Sequence, residues 1–215
     1  MNILELGCGD GALWTQNLSK LPGNIHITLS DISEGMLRDA RRAIGGEDPR
    51  FSFKAFDCHN IPPRIGTFDL VIANHVLFYC DDIGKVCKNV TKILKPGGRF
   101  LCSTYGSRHM REVSLLVQSF DERIALSADK LYERFGRENG TDILSPYFQQ
   151  ITWKSYEDEL IVTDAEPLIS YILSCHGNQN QYLPDRYKDF RALVKKKQKM
   201  GSISPRMQGY FFVKK

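Results

Sequence analysis

The sequence has no cysteine pair at CxxC spacing, no apolar run approaching the roughly 18 residues of a membrane span, no internal repeat and no low-complexity linker. Each absence removes a class. Its six cysteines, Cys8, Cys58, Cys80, Cys87, Cys102 and Cys175, offer no paired spacing for structural zinc, because the nearest pair, Cys80 and Cys87, lacks a companion. Several lie in apolar runs, where free cysteine behaves as a small hydrophobe. The expectation is a metal-free cytoplasmic protein with reduced thiols. No basic segment followed by a long apolar stretch opens the chain as a signal peptide would.

Strong charge is missing too. A net charge of +4 and a pI near 8.7 are a mild excess, which argues against a nucleic-acid surface unless the charge is clustered. The one conspicuous run, Lys195-Lys196-Lys197-Gln198-Lys199, ends an expected helix, where cations meet the helix dipole favourably and no aromatics are interleaved.

What is present is one domain's worth of chain: 215 residues, 42% hydrophobic and 25% charged. From Asn2 to Tyr105, short apolar runs alternate with helical patterns, as in repeated βαβ units. Strands are predicted at Asn2 to Leu6, Ile25 to Ser30, Phe51 to Ala55, Phe68 to Asn74 and Arg99 to Tyr105. Helices fall near Ala12 to Lys20, Glu34 to Ile44 and Asp82 to Leu94, the last stopped by a turn at Pro96 to Gly98. Ser107 to Leu144 has apolar residues at three- to four-residue spacing and reads as a helical insert. Beyond it, strands at Gln150 to Ser155, Glu159 to Thr163 and Gly209 to Lys214, with helices at Ala165 to Ser174 and Arg186 to Lys199, complete the pattern. The expected fold is a doubly wound, Rossmann-like, mainly parallel seven-stranded sheet with helices on both faces. As one domain it divides into a cofactor-binding half (1–106), a helical substrate lid (107–145) and a part completing the sheet (146–215).

The most informative stretch is Glu5-Leu6-Gly7-Cys8-Gly9-Asp10-Gly11, between the first strand and the first helix. Glycines at alternate positions let backbone turn tightly and approach a ligand with no Cβ in the way. Asp31 ends the second strand, where an acidic side chain can accept both hydroxyls of a ribose, or can cap the next helix with Glu34. The glycine spacing differs from the GxGxxG of dinucleotide sites, and a carboxylate at Glu5 would repel a pyrophosphate and suit a cationic ligand.

ELGCGDG, LSDIS, FDCHNIP, FDLVIANHVLFY and ILKPGGRFLCSTY together resemble, in order and spacing, the class I S-adenosylmethionine-dependent methyltransferases, in the small-molecule and ubiquinone-type branch. The resemblance is close over the first half of the chain. It implies S-adenosylmethionine as cofactor, S-adenosylhomocysteine as product and a small organic acceptor methylated by in-line displacement. It places Gly7, Cys8, Gly9 and Gly11 in the loop under the cofactor, Glu5 near its amino-acid end, and Asp31 on the ribose. Ile32 and Met36 would lie by the adenine, with Asp57, Cys58 and His59 around its edge. Asn74 ends the fourth strand facing the cofactor. His75 is the candidate base for a hydroxyl nucleophile, and Tyr79, Tyr105 and His109 are candidate walls of the acceptor pocket. An RNA or protein methyltransferase, with Arg108, Arg111, Arg134 and Arg137 gathered at the mouth, and a non-catalytic protein of the same fold stay open as alternatives. The family generally carries one or two helices ahead of the first strand that cover the cofactor. Here Met1 stands almost in that strand, so the expectation is an open site of reduced affinity.

Overall fold

The apolar runs of the first half form parallel strands: Asn2–Leu6 and Phe68–Asn74 are largely buried, as their uninterrupted character requires, while Phe51–Ala55, whose residues alternate, contains no fully buried residue. The structure, a computed structural model, describes residues 1–127, 130–156, 161–198 and 208–214. The chain runs β1 (Asn2–Leu6), α1 (Ala12–Thr15), β2 (His26–Asp31), α2 (Glu34–Ile44), β3 (Phe51–Ala55), β4 (Phe68–Asn74), α3 (Ile83–Ile93) and β5 (Leu94–Tyr105). It continues through α4 (Arg111–Phe120), α5 (Leu131–Arg134), α6 (Gly140–Leu144), β6 (Gln150–Tyr156), α7 (Ala165–Ser174), α8 (Tyr187–Gln198) and β7 (Gln208–Lys214). The sheet order is β3-β2-β1-β4-β5-β7-β6, with β7 antiparallel to both of its neighbours. From β1 the chain steps outward to β3 and then returns to place β4 on the other side. The carboxyl ends of β1 and β4 therefore form a topological switch point, where open α/β sheets bind ligands.

Local chemistry explains most boundaries. Ser33 caps α2, its Oγ accepting from Met36 N at 3.3 Å, and Asp82 caps α3 by accepting from Lys85 N at 2.8 Å. α2 buries Leu37, Ala40 and Ile44 on one face. The expected helix Ala12 to Lys20 stops at Thr15 and resumes only as a 3-10 turn, Leu18–Lys20; Asn17 Nδ2 bonds back to Leu13 O at 2.7 Å and competes with the helix ladder. The Pro96-Gly97-Gly98 run lies within β5 as a bulge, not between helix and strand: pairing jumps from Phe68↔Leu94 to Leu70↔Arg99. A Cβ on Gly98 would stand 2.9 Å from Lys95 O and 3.1 Å from Phe68 O, which explains the glycine.

Three buried clusters organise the molecule. One face of the sheet packs Leu4, Val71, Phe100 and Phe211 against α3 and against Phe135, Leu144 and Phe148. The other face joins Ile3, Ile27 and Ile72 to Trp14 and Ile44. The third contains no strand residue: α4, α7 and α8 close on one another through Val113, Val117, Ile169, Ile172, Phe190 and Val194. Residues 107–145 thus do not pack as one helical insert. Their first part joins α7 and α8, while Phe135 and Leu144 belong to the sheet core. Of the strand expected at Glu159 to Thr163, Ile161 to Thr163 are described and irregular, and residues 159 and 160 lie outside the described residues, as does Lys199. Among the described residues no helix is long and apolar enough to cross a membrane.

Candidate active site

A cleft of about 600 Å³ opens at the β1/β4 switch point. This falls within the usual size for a small-molecule site. Its floor is the loop leaving β1. Gly7 adopts φ +68, and a Cβ there would stand 2.5 Å from Val76 Cγ2, so the loop can pass under the end of β4 only as glycine. Gly9 adopts φ +56, and a Cβ there would meet nothing within 4 Å; its backbone faces the open cleft. The loop is tied to β2 by Cys8 N to Ser30 O at 2.9 Å and by Gly9 N to Asp31 Oδ2 at 3.0 Å.

Asp31 is therefore a double tether, since its Oδ1 accepts from Ser33 N at 2.9 Å. It does not cap α2 with Glu34; Ser33 does that. Each of its oxygens keeps a further acceptor direction, and the side chain lines the cleft beside Ile32 and Met36. Ile32 is 75% exposed, an apolar surface at the rim without cover.

At the far wall, Asp57 Oδ1 accepts from His59 N at 2.8 Å and lies 2.7 Å from His59 Nδ1. The His59 backbone N–H, with the imidazole behind it, holds the Asp57 carboxyl below its ordinary range. Cys58 lies between them, its Sγ 3.5 Å from Cys80 Sγ. The donor atoms of Asp57, Cys58 and His59 fall within 4.8 Å of one another, but carboxylate and imidazole already occupy each other.

Glu5 departs from the expected role. It is 2% exposed and does not line the cleft; Oε2 accepts from Trp14 Nε1 at 2.5 Å and Oε1 from Asn74 Nδ2 at 3.3 Å. Burial pushes its carboxyl up to about 7, against the opposing hydrogen bonds. A half-neutral buried carboxyl is a weak repellent for any ligand. Its place is to hold α1 and the Asn74 side chain, which does line the cleft. Cys8 and Gly11 likewise shape the loop from outside, with a Cβ on Gly11 3.0 Å from Ala40 Cβ.

The remaining wall is aromatic. His75 follows β4 with φ +53, a strained position for a non-glycine residue, and its N–H donates to Ser103 Oγ at 3.1 Å. The imidazole stacks on Tyr105 at 6.3 Å between ring centroids, and Tyr105 lies 4.9 Å from His109. His75 and Tyr79 line the cleft, Tyr79 being 67% exposed, while Tyr105 and His109 stand behind His75. Burial first, then the neighbouring Tyr79 and Tyr132, push the Tyr105 phenol up; burial and His75 push His109 down. Ser30, Phe56, Val76, Cys80 and Asp81 also line the cleft without having been singled out in the sequence. Ser30, Phe56 and Val76 fall inside the quoted motifs and Cys80 and Asp81 directly follow one, but none carries a spacing signal of its own.

Residues 3–98 match the family described as "Methyltransferase domain". This stretch carries a methyltransferase domain and is similar to those of the class I S-adenosylmethionine-dependent enzymes. Among curated proteins, malonyl-[acyl-carrier protein] O-methyltransferase 1 of Ilyobacter polytropus is 30% identical over 126 residues, 59% of this chain and 46% of that protein. Trichosetin synthetase PKS-NRPS1 of Gibberella fujikuroi is 30% identical over 198 residues, 89% of this chain and 5% of that protein. The chain thus spans about half the length of the first and a small part of the second. The solved YcgJ protein of Bacillus subtilis superposes with a TM-score of 0.64 at 15% identity, covering 100% of this chain and 91% of that one, and shares the fold. In this methyltransferase domain, the family match ends at β5, so α4 to β7 lie outside it.

Proposed function

We propose that the chain methylates a small organic acceptor at the mouth of the β1/β4 cleft, in the cytoplasm. The observation that carries this reading is the pairing, in one cleft, of a Gly9 backbone open to ligand with the Asp31 carboxylate. A nucleoside-bearing cofactor fits that pair: Asp31 offers both oxygens to vicinal hydroxyls, and the uncovered Ile32 and Met36 offer an apolar face to the base. Asn74 is held by Glu5 in position for the cofactor's polar end. When bound, S-adenosylmethionine supplies a methyl group made electrophilic by its sulfonium.

The chain's own contribution is chiefly placement. Tyr79 and His75 would hold the acceptor at the cleft wall, and fixing the reacting groups while excluding water is worth up to roughly 7–11 kcal/mol in well-oriented systems. The His75 imidazole, on a positive-φ backbone and stacked on Tyr105, would take the proton from a hydroxyl acceptor. The relatives' names speak of a carrier-bound malonyl group and of polyketide assembly, so acceptor trials include both free acids and acyl thioesters on a carrier.

Calorimetric titration with S-adenosylmethionine and, separately, NADH tests the cofactor site. Binding of the former alone is expected, weakened ten- to a hundredfold by Asp31→Ala, because hydrogen bonds to a charged group contribute roughly 1.5–3 kcal/mol. Preference for NADH would sink the reading. With an acceptor in hand, His75→Asn, which tolerates the same backbone, is expected to lower turnover at unchanged cofactor affinity. Binding without turnover on any acceptor would identify a non-catalytic protein of this fold.

A further inference from the structure

The two sulfurs in the far wall have no part in methyl transfer. Cys58 opens the 3-10 turn Cys58–Asn60, and Cys80 follows the turn Leu77–Tyr79, yet their Sγ atoms stand 3.5 Å apart and both residues line the cleft. We propose that Cys58 and Cys80 are an oxidation site: with hydrogen peroxide as oxidant they join in a disulfide across the cleft wall, and the joined wall excludes the cofactor. The second half of this rests on the cofactor reading above; the first does not.

Geometry sets the pair apart from the other cysteines. Closing from 3.5 Å to a disulfide bond of about 2.05 Å needs a movement of roughly 1.5 Å, within the reach of small side-chain and turn adjustments. Cys58 is half-buried and open to the cleft, while Cys80 is buried behind it with Sγ 3.7 Å from Val76 O. Cys87 and Cys102 are buried in the core. The chemistry agrees in direction. The Cys80 thiol hydrogen-bonded to Cys58, with His59 nearby, holds Cys58 below the ordinary thiol range, while burial pushes Cys8 and Cys87 up to about 12. Low thiol pKa and access are what select a cysteine for oxidation.

The steps balance. The Cys58 thiolate attacks one peroxide oxygen, the O–O bond breaks, and hydroxide leaves, giving a sulfenic acid. The Cys80 sulfur then attacks the Cys58 sulfur, the S–OH bond breaks, and the hydroxyl leaves with the Cys80 proton as water. Two thiols have been oxidised and one peroxide reduced to two waters. The new bond draws the Cys58–Asn60 turn toward Tyr79, narrowing the part of the cleft assigned to the adenine.

The test uses the full chain treated with hydrogen peroxide, followed by peptide mapping without reductant and by titration with S-adenosylhomocysteine. The expected result is one cross-linked peptide pair carrying Cys58 and Cys80, blocked by prior saturation with S-adenosylhomocysteine. Affinity should fall at least tenfold and return with dithiothreitol. Cys80→Ser and Cys80→Ala should both lose the cross-link, their Cys58 sulfenic acid becoming trappable by dimedone. Absence of the Cys58–Cys80 peptide overturns the proposal, and so does a cross-link that leaves affinity unchanged. If the reduced chain binds no S-adenosylhomocysteine at all, the cofactor reading fails while the peptide map still decides the bond.

Discussion

The β1–β5 half and the α4–α7–α8 unit are held together by different kinds of contact. In the first, polar cleft residues are fixed by single hydrogen bonds, within one turn or to a nearby strand end: His59 by Asp57, Gly9 by Asp31, His75 by Ser103. In the second, helices separated by up to 70 or more positions close on a core of their own, Val113 sharing it with Phe190 and Val194. A charged pair bridges the same span, Arg186 reaching Asp121 from 65 positions away. A short motif can build a binding loop. A helical unit needs its distant sections to arrive together, and its failure need not be the failure of the cleft.

Phe190→Ala should break that comparison most sharply. Removing a fully buried ring that packs edge-on against Phe120 costs about 3–5 kcal/mol. Denaturant unfolding should show the loss, while S-adenosylhomocysteine affinity, read by calorimetry, stays within twofold. Parallel loss of affinity would mean that the two cores act as one.

Next in size is the buried Glu5. Its carboxyl is raised to about 7 in the fold from an ordinary 4.5, so the folded state holds the proton more tightly. Stability from this group is full below about pH 4.5, is lost as pH rises through 7, and amounts to about 3 kcal/mol at its largest. Unfolding free energy should fall between these limits and fall less in Glu5→Gln. A wild-type curve that rises over the interval would refute the assignment.

Gly9→Ala is the finest cut. Nothing lies near the added Cβ, so only the left-handed backbone is strained, at about 1 kcal/mol or slightly more. Cofactor affinity should nevertheless drop at least tenfold, since the methyl group enters the cleft. A variant that loses stability but not affinity would place the ligand elsewhere.

The same contrast explains what could be read beforehand. The strands Asn2–Leu6, Phe51–Ala55 and Phe68–Asn74 and the helix Glu34–Ile44 were legible because apolar pattern and caps are local. The place of Gly7, Gly9 and Asp31 at the strand ends beside the cleft was legible because their spacing encodes a turn against a strand end. Glu5 was not, because the sequence shows a carboxylate but not that Trp14 and Asn74 enclose it. Helical spacing from Ser107 onward was read as one insert because periodicity reveals a buried face but not which neighbour buries it.

The placement of β7 between β5 and β6 bears on how the polypeptide is made. Tyr105 leaves the ribosome long before Gln208, yet among the described residues no strand other than β7 pairs with that edge of β5, and β6 joins the sheet through β7. Until Gln208–Lys214 emerges, the nascent chain therefore exposes an unpaired edge at Arg99–Tyr105, next to a core still lacking Phe211 and Val213. Such an edge invites pairing with other chains. Yield in the cell should thus depend on chaperone capacity more than on the stability of the finished fold.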